Sequence, residues 1–413
     1  MALDAFGRLR TSDCFTTFNY YPSAMTDNTT LDIDVWVSGQ TGGAQSYNTQ
    51  NYIDMPISGP NNTYSLRTTK QPMIYQPGKS RLIYMTGVLM TTVPPISGTV
   101  SSHMGIFTVD NTSPIAPNVP IITQGTYLKT NGINFYWEDV EQGPTIESVI
   151  QTSWNIDTFN GSGPSGKTLT VAANANKNLL IVIDQEWLGV GRIRCGFIID
   201  GVIYYAHQFL HNGMNIQYTN TPRLNLSYLI TGNSTNTMRQ MCSTSISEGG
   251  YFSTGRINNV NIPVNSLISV GTSNTVLLGI KIQSGFPYAT FFIKQLSFLY
   301  TITGSSSGKY AQFTIQMHST NGSIGGLSGT PTFIPLVNSS IEYYTGNGIT
   351  VTSPGFIIGS GYLETATAIE IVSVVNDSLQ IRNLFTRYDI LYITATVSAS
   401  GTMGTSVTFI EDI

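Results

Sequence analysis

Apolar and polar residues alternate along much of the chain, most clearly in LLIVIDQEWLGVGRIRCGFIIDGVIYYAHQFL, Leu179 to Leu210. Three apolar pieces, Leu179–Ile183, Ile193–Ile199 and Val202–Phe209, are separated by Gly189, Gly191 and the pair Asp200-Gly201. Ile193, Cys195 and Phe197 fall on one side of an extended chain and Arg192, Arg194 and Gly196 on the other. The middle piece is therefore a strand with one dry face. Asp-Gly between β-branched and aromatic runs predicts a two-residue hairpin, because both central residues of a type I′ turn need positive φ. The reading is an antiparallel meander around which the rest of the chain completes a β-rich core.

The same pattern recurs on either side. LDIDVWVSG places Leu31, Ile33, Val35 and Val37 on one face, and further strands are predicted in NYIDMPISG, TYSLRTTKQ, Arg81–Val93 and HMGIFTVDN. Ile133–Glu141 and Thr145–Trp154 form a hairpin across Gln142-Gly143-Pro144, and Leu224–Ile230 and Thr237–Ser247 follow the meander. Later strands are predicted at Val276–Gln283, Ala289–Thr303, Tyr310–His318, Thr367–Val375 and Ile390–Ser398. Residues 1–30 show no sustained period and read as an arm, with Phe6, Arg8, Leu9, Arg10 and Phe15 as its contact residues. Asn258–Ile268 reads as a linker, which puts a boundary near Asn261. Many short strands with frequent turns and no convincing amphipathic helix predict an all-β protein. Its parts are the arm, a jelly-roll or β-sandwich domain over 31–260, and a second β-sandwich-like domain over 261–413.

Composition narrows the function. Charged residues make up 10% of the 413 residues, against about 25% in an average soluble protein. Polarity is carried by Asn, Thr, Ser, Gln and Tyr, as on a surface covered by other subunits, since interface cores are depleted in Lys, Glu and Asp. A net charge of −4 argues against a nucleic-acid binder, which needs a basic stripe to neutralise phosphates. Cys14, Cys195 and Cys242 are too few and too scattered for a disulfide scaffold, and Cys195 reads as a small buried apolar group. MALDAFGRLR lacks the apolar stretch of a secretory signal, and no run of about 18 apolar residues predicts a membrane span.

Candidate chemistry is sparse. Asp184 and Glu186, and likewise Asp139 and Glu141, lie two apart on predicted strands, a spacing that can serve acid–base catalysis. The commoner reading is the wet face of a strand, with Arg192 and Arg194 as cross-strand partners. His207 and His211 have helical metal-ligand spacing, but in a strand running into a loop no metal site is expected. GSGPSGK, Gly161 to Lys167, lacks the Gly-Lys-Ser/Thr ending and the following helix of a phosphate loop. No Gly-x-Ser-x-Gly elbow stands between a strand and a helix. No enzyme, catalytic residue, cofactor or metal is therefore expected. Trp36, Trp137, Trp154, Trp187 and the Tyr204-Tyr205 pair can form a core or a sugar-stacking surface, and most aromatics in sandwiches are core.

Five blocks carry a resemblance: DAFGRLRTSDCFTTF (Asp4–Phe18), YQPGKSRLIYMTGV (Tyr75–Val88), SWNIDTFNGSGPSG (Ser153–Gly166), IDQEWLGVGRIRCGFIIDGVIYYAHQF (Ile183–Phe209) and MRQMCSTSISEGG (Met238–Gly250). Together, over residues 1–255, the chain resembles a family of virion proteins found in tailed phages and in large DNA viruses of algae and protists. Val190–Gly201 also looks like the strand–turn–strand of lectin-type jelly rolls. The resemblance implies a structural component of a virion with no catalytic residues to carry over. The expectation is a minor capsid or vertex (penton-type) protein, made in the host cytoplasm and assembled with other capsid proteins as a homo-oligomeric ring. The alternative is a fibre, spike or head-decoration protein binding a host glycan or receptor.

Overall fold

The computed structural model describes residues 14–22, 35–59, 62–70, 72–73, 75–76, 78–93, 99–110, 119–141, 146–249, 255–286, 289–302, 310–319, 325–346, 348–364, 368–372, 390–398 and 400–412. The chain is all-β, and its residues cluster into two units, Met1–Phe252 and Ser253–Ile413. The division falls before Asn261 because Arg256–Asn261 is a strand of the second unit rather than a linker. Its asparagines, which read as loop, make cross-strand hydrogen bonds. Asn259 Nδ2 donates to Ser406 Oγ (2.9 Å) and Thr408 Oγ1 (3.0 Å), while Val260 faces the core.

The first unit is a sandwich of two antiparallel sheets. One runs in the order Val202–Phe209, Ile193–Ile199, Leu179–Gln185, Arg81–Val88, Asn236–Ser247, Tyr52–Ile57, Ser46–Asn48, with Phe15–Tyr20 also paired to Asn236–Ser247. The other runs Ile146–Ile150, Phe135–Val140, Ile121–Thr130, Val100–Asp110, Leu226–Gly232, Thr63–Thr69, Trp36–Thr41. Alternate residues of both sheets fill one core: Met85, Ile183 and Phe197 from the first meet Met104, Leu128 and Trp137 from the second. The Trp137 and Phe197 rings lie 5.9 Å apart. Burying one such ring removes roughly 150–250 Å² from water, worth about 4–6 kcal/mol before entropy. Tyr228 also spans the layers, its hydroxyl donating to the Thr86 carbonyl at 3.1 Å.

In the meander, Ile193, Cys195 and Phe197 all face this core. Asp200 and Gly201 have φ of 54° and 78° between the paired Ile199 and Val202, the backbone a tight primed hairpin requires. A bulge shifts the register so that Cys195 faces His207 while Gly196 faces Tyr205, leaving Ala206 as the extra residue. A Cβ on Gly196 would sit 2.2 Å from the Tyr204 carbonyl oxygen, so this position has no room for a side chain.

The arm reading needs correction where it is described. Phe15–Tyr20 is a strand on the edge of Ser243–Ser247 rather than a free segment. Tyr20 is buried against Trp36, with ring centroids 5.1 Å apart, and Thr17 Oγ1 donates to the Ser245 carbonyl at 3.0 Å. Period two over six residues is too short to distinguish from irregular chain until its partner strand is known. Phe6, Arg8, Leu9 and Arg10 lie outside the described residues. The Thr145–Trp154 segment is also shorter than its pattern suggests: Ile146–Ile150 is a strand and Gln151–Ser153 a 3-10 turn.

The second unit pairs a five-stranded with a six-stranded sheet. The first runs Arg256–Asn261, Gly401–Asp412, Thr290–Ile302, Ala368–Val372, with Ile268–Val270 also on Gly401–Asp412. The second runs Ile334–Pro335, Ile341–Thr345, Thr275–Ile282, Ile390–Val397, Tyr310–His318, Phe356–Glu364. Phe298 stacks on Phe313 with centroids 4.3 Å apart inside one core. Buried Glu411 is satisfied by the Ser340 backbone N–H (2.7 Å), the Ser340 hydroxyl (2.8 Å) and Ser339.

Candidate functional site

The strand Phe135–Val140 turns Phe135, Trp137 and Asp139 inward, so a dry stripe ends in a fully buried carboxylate. Glu141 follows on the same side of the chain. Across the sandwich, Phe209 ends the Val202–Phe209 strand inside the core, and two residues later His211 is buried as well. These two strand ends bring together groups far apart in sequence. His211 Nε2 is 2.9 Å from Asp139 Oδ2 and 3.9 Å from Glu141 Oε1. One donor atom from each of the three residues lies within 4.8 Å of the other two.

The surroundings hold these groups in place. His211 Nδ1 is 2.6 Å from the Gly191 carbonyl oxygen, and the Tyr218 ring stacks on the imidazole at 3.9 Å, 11° from parallel. Thr126 Oγ1 donates to Asp139 Oδ1 at 2.5 Å. Glu147 lies opposite Asp139 in the neighbouring strand. Burial acts to lower the His211 pKa, but the Asp139 hydrogen bond and charge, the Gly191 carbonyl and Glu141 outweigh it, and the net shift is upward. Glu141 and Glu147 are raised by burial and then by the Asp139 charge. Two carboxylates thus flank one imidazole, with the Glu147 charge opposite Asp139, an arrangement that favours a bound proton or cation.

Both acidic pairs read as solvated are in fact differently placed. Asp139 and Asp184 are fully buried, because each sits on a strand whose neighbours supply polar partners. Asp184 Oδ2 accepts from Arg194 Nη2 at 2.7 Å and from the Tyr205 hydroxyl at 2.9 Å, and burial raises its pKa to about 6. Arg194 is thus the cross-strand partner, in direct register with Asp184. The strand ends at Gln185, so its alternation does not extend to Glu186.

The other sequence candidates are mostly structural. His207 is buried opposite Cys195, its Nδ1 accepting from the Asn155 N–H at 3.2 Å. The Gly161–Lys167 loop wraps around Asp157, whose carboxylate accepts from the Phe159 (2.8 Å) and Ser165 (2.7 Å) N–H groups. Those are donors an anion would otherwise use. Trp36, Trp137 and Trp154 are core, and Trp187 is half-buried, edge-on to Tyr75 and donating to Thr219 Oγ1 at 2.8 Å. Sequence spacing pointed to Asp139 with Glu141 and, separately, to His211; nothing local showed that they meet.

The fold is that of an all-β, jelly-roll-like sandwich protein. No family model and no curated protein sequence matches the chain. Among solved structures, arcelin-5, a lectin-like defence protein from Phaseolus vulgaris, is similar over 58% of this chain and 100% of its own, at 10% identity and a TM-score of 0.32. An endo-1,3-beta-glucanase from Streptomyces sioyaensis is similar over 59% of this chain and 99% of its own (11% identity, TM-score 0.37). Lectin II from Ulex europaeus is similar over 57% and 100% (9% identity, TM-score 0.34). At this level the likeness concerns β architecture alone. Among the described residues no helix is long and apolar enough to cross a membrane.

Proposed function

We propose that the chain is a structural protein of a virus particle, a minor capsid or vertex component that works by packing β-sheets against neighbouring subunits. The observation that carries this reading is a pair of edge strands without lysine or proline. Val202–Phe209 and Phe356–Glu364 are the outermost strands of their sheets among the described residues. Neither contains Lys or Pro, the residues that usually protect an edge, although each is bulged against its inner neighbour. They expose Val202, Ile203, Phe356, Ile357 and Tyr362, the last at 70% of its surface. Exposed apolar side chains along an edge strand favour association, at Val202 and Ile203 beyond the stretch where Asn155, Ile156 and Asp157 bond to Ala206 and Gln208. The low charge of the whole chain and its resemblance to virion proteins support the same reading. Closed cyclic symmetry would repeat one such contact around a ring, with other capsid proteins outside it.

The test is sedimentation of the purified full chain over a range of concentrations, combined with a glycan-array screen. The expected result is a closed oligomer that Ile203→Lys or Ile357→Lys shifts towards monomer, with no specific sugar bound. A wild-type chain that stays monomeric and binds one glycan class would instead support a fibre, spike or head-decoration protein and overturn the shell role.

A further inference from the structure

We infer that Asp139, Glu141 and His211 bind one divalent transition-metal ion of the zinc or manganese class, which ties the two sheets of the first unit together near one end of the sandwich. The donors are one imidazole nitrogen and two carboxylate oxygens, all within 4.8 Å of one another. Ligand atoms about 2.1 Å from a shared tetrahedral ion lie about 3.4 Å apart. The Nε2–Oδ2 and Nε2–Oε1 separations of 2.9 and 3.9 Å bracket that value, so small side-chain adjustments suffice.

The imidazole is prepared from behind. The Gly191 carbonyl is only an acceptor, so the 2.6 Å contact requires the proton on Nδ1. In the neutral ring this leaves the Nε2 lone pair directed at the carboxylates, as the outer partner of a metal-bound histidine does. Asp139 is oriented in the same way: Thr126 occupies Oδ1 and leaves Oδ2 towards the histidine. A lone pair facing a carboxylate at 2.9 Å needs a cation between or beside them, either a proton or a metal. Glu141 supplies the second observation. Its side chain is only 14% exposed, and its contact among the described residues is the 3.9 Å approach to His211, so little hydrogen bonding satisfies its charge.

The donor set selects the ion. Calcium takes six to eight oxygen ligands, whereas one imidazole with two carboxylates suits zinc or manganese, with water completing the shell. The position gives the ion a structural task. Asp139 lies on a strand of the seven-stranded sheet and Glu141 directly follows that strand, while His211 follows the outermost strand of the eight-stranded one. A bound ion therefore joins the two sheets near one end of the sandwich, with Ile146–Ile150 lying outside Phe135–Val140 in the seven-stranded sheet.

The experiment is calorimetric titration of the chelator-treated full chain with zinc chloride, with manganese and calcium chlorides as comparators and melting followed in parallel. The expected result is one zinc ion per chain, a raised Tm and no response to calcium. Glu141→Gln, at the rim of the site, should weaken zinc binding about tenfold or more while leaving the metal-free Tm nearly unchanged. His211→Gln should abolish it, and Glu141→Gln carries the test if that variant does not fold. No heat and no Tm change with zinc in the wild type, or unchanged zinc affinity in Glu141→Gln, would overturn the assignment.

Discussion

Arg194 and Asp184 face each other across paired strands, with the guanidinium Nη2 2.7 Å from the carboxylate and the Arg194 head 4.2 Å from the centre of the Tyr205 ring. The arginine is the charge that keeps a fully buried carboxylate ionised. Arg194→Ala should therefore destabilise the chain by about 3 kcal/mol in urea unfolding near neutral pH, because it leaves Asp184 buried without a counter-charge. Asp184 has its folded pKa raised to about 6 from 3.8, burial being the main cause. The folded state then holds the proton more tightly, so this group becomes more favourable as pH falls from about 6 towards 4 and less so as it rises. The penalty of Arg194→Ala should accordingly shrink in mildly acidic buffer. A penalty independent of pH would show that Asp184 stays charged without its partner.

Three histidines act in the opposite direction. Burial lowers His103, His207 and His318 to about 4 from 6.5. Each contributes stability that is present above about 6.5 and is lost as pH falls towards 4, because the unfolded chain binds the proton first. The ceiling for one such ring is about 3 kcal/mol. Tm should fall between pH near 6.5 and pH near 4, and His207→Gln should flatten part of that slope. A Tm that rises throughout this range would mean that Asp184 outweighs the histidines.

The first strand distinguishes core from arm. Tyr20→Ala should cost about 3 kcal/mol, since it empties a buried site against Trp36. Phe15→Ala, at a side chain 47% exposed, should stay within about 0.5 kcal/mol. Denaturant midpoints of the two variants measure the difference. Equal small effects would mean that residues 15–20 do not pack on the sandwich in solution.

The hairpin at Asp200-Gly201 and the inward set Ile193, Cys195 and Phe197 were legible because turn chemistry and side-chain alternation are local. Arg256–Asn261 was not legible, since its asparagines resemble a loop until Ser406 and Thr408 are placed beside them. The burial of Asp139 was hidden for a related reason. A charged residue on an alternating strand looks solvated unless its partners across the sheet are known.

The sequence alone determined that this chain is built of strands, and where its clearest hairpin turns, because both follow from neighbours a few residues apart. Only the tertiary structure decided that Asp139, Glu141 and His211 share one site, and that Phe15–Tyr20 is a strand. Those facts depend on which strand ends the two sheets bring into contact, across 72 residues for Asp139 and His211 and more than 220 for Thr17 and Ser245. Hydrophobic burial drives the sheets together without regard to sequence distance, so contacts of this kind leave no periodic trace in the chain.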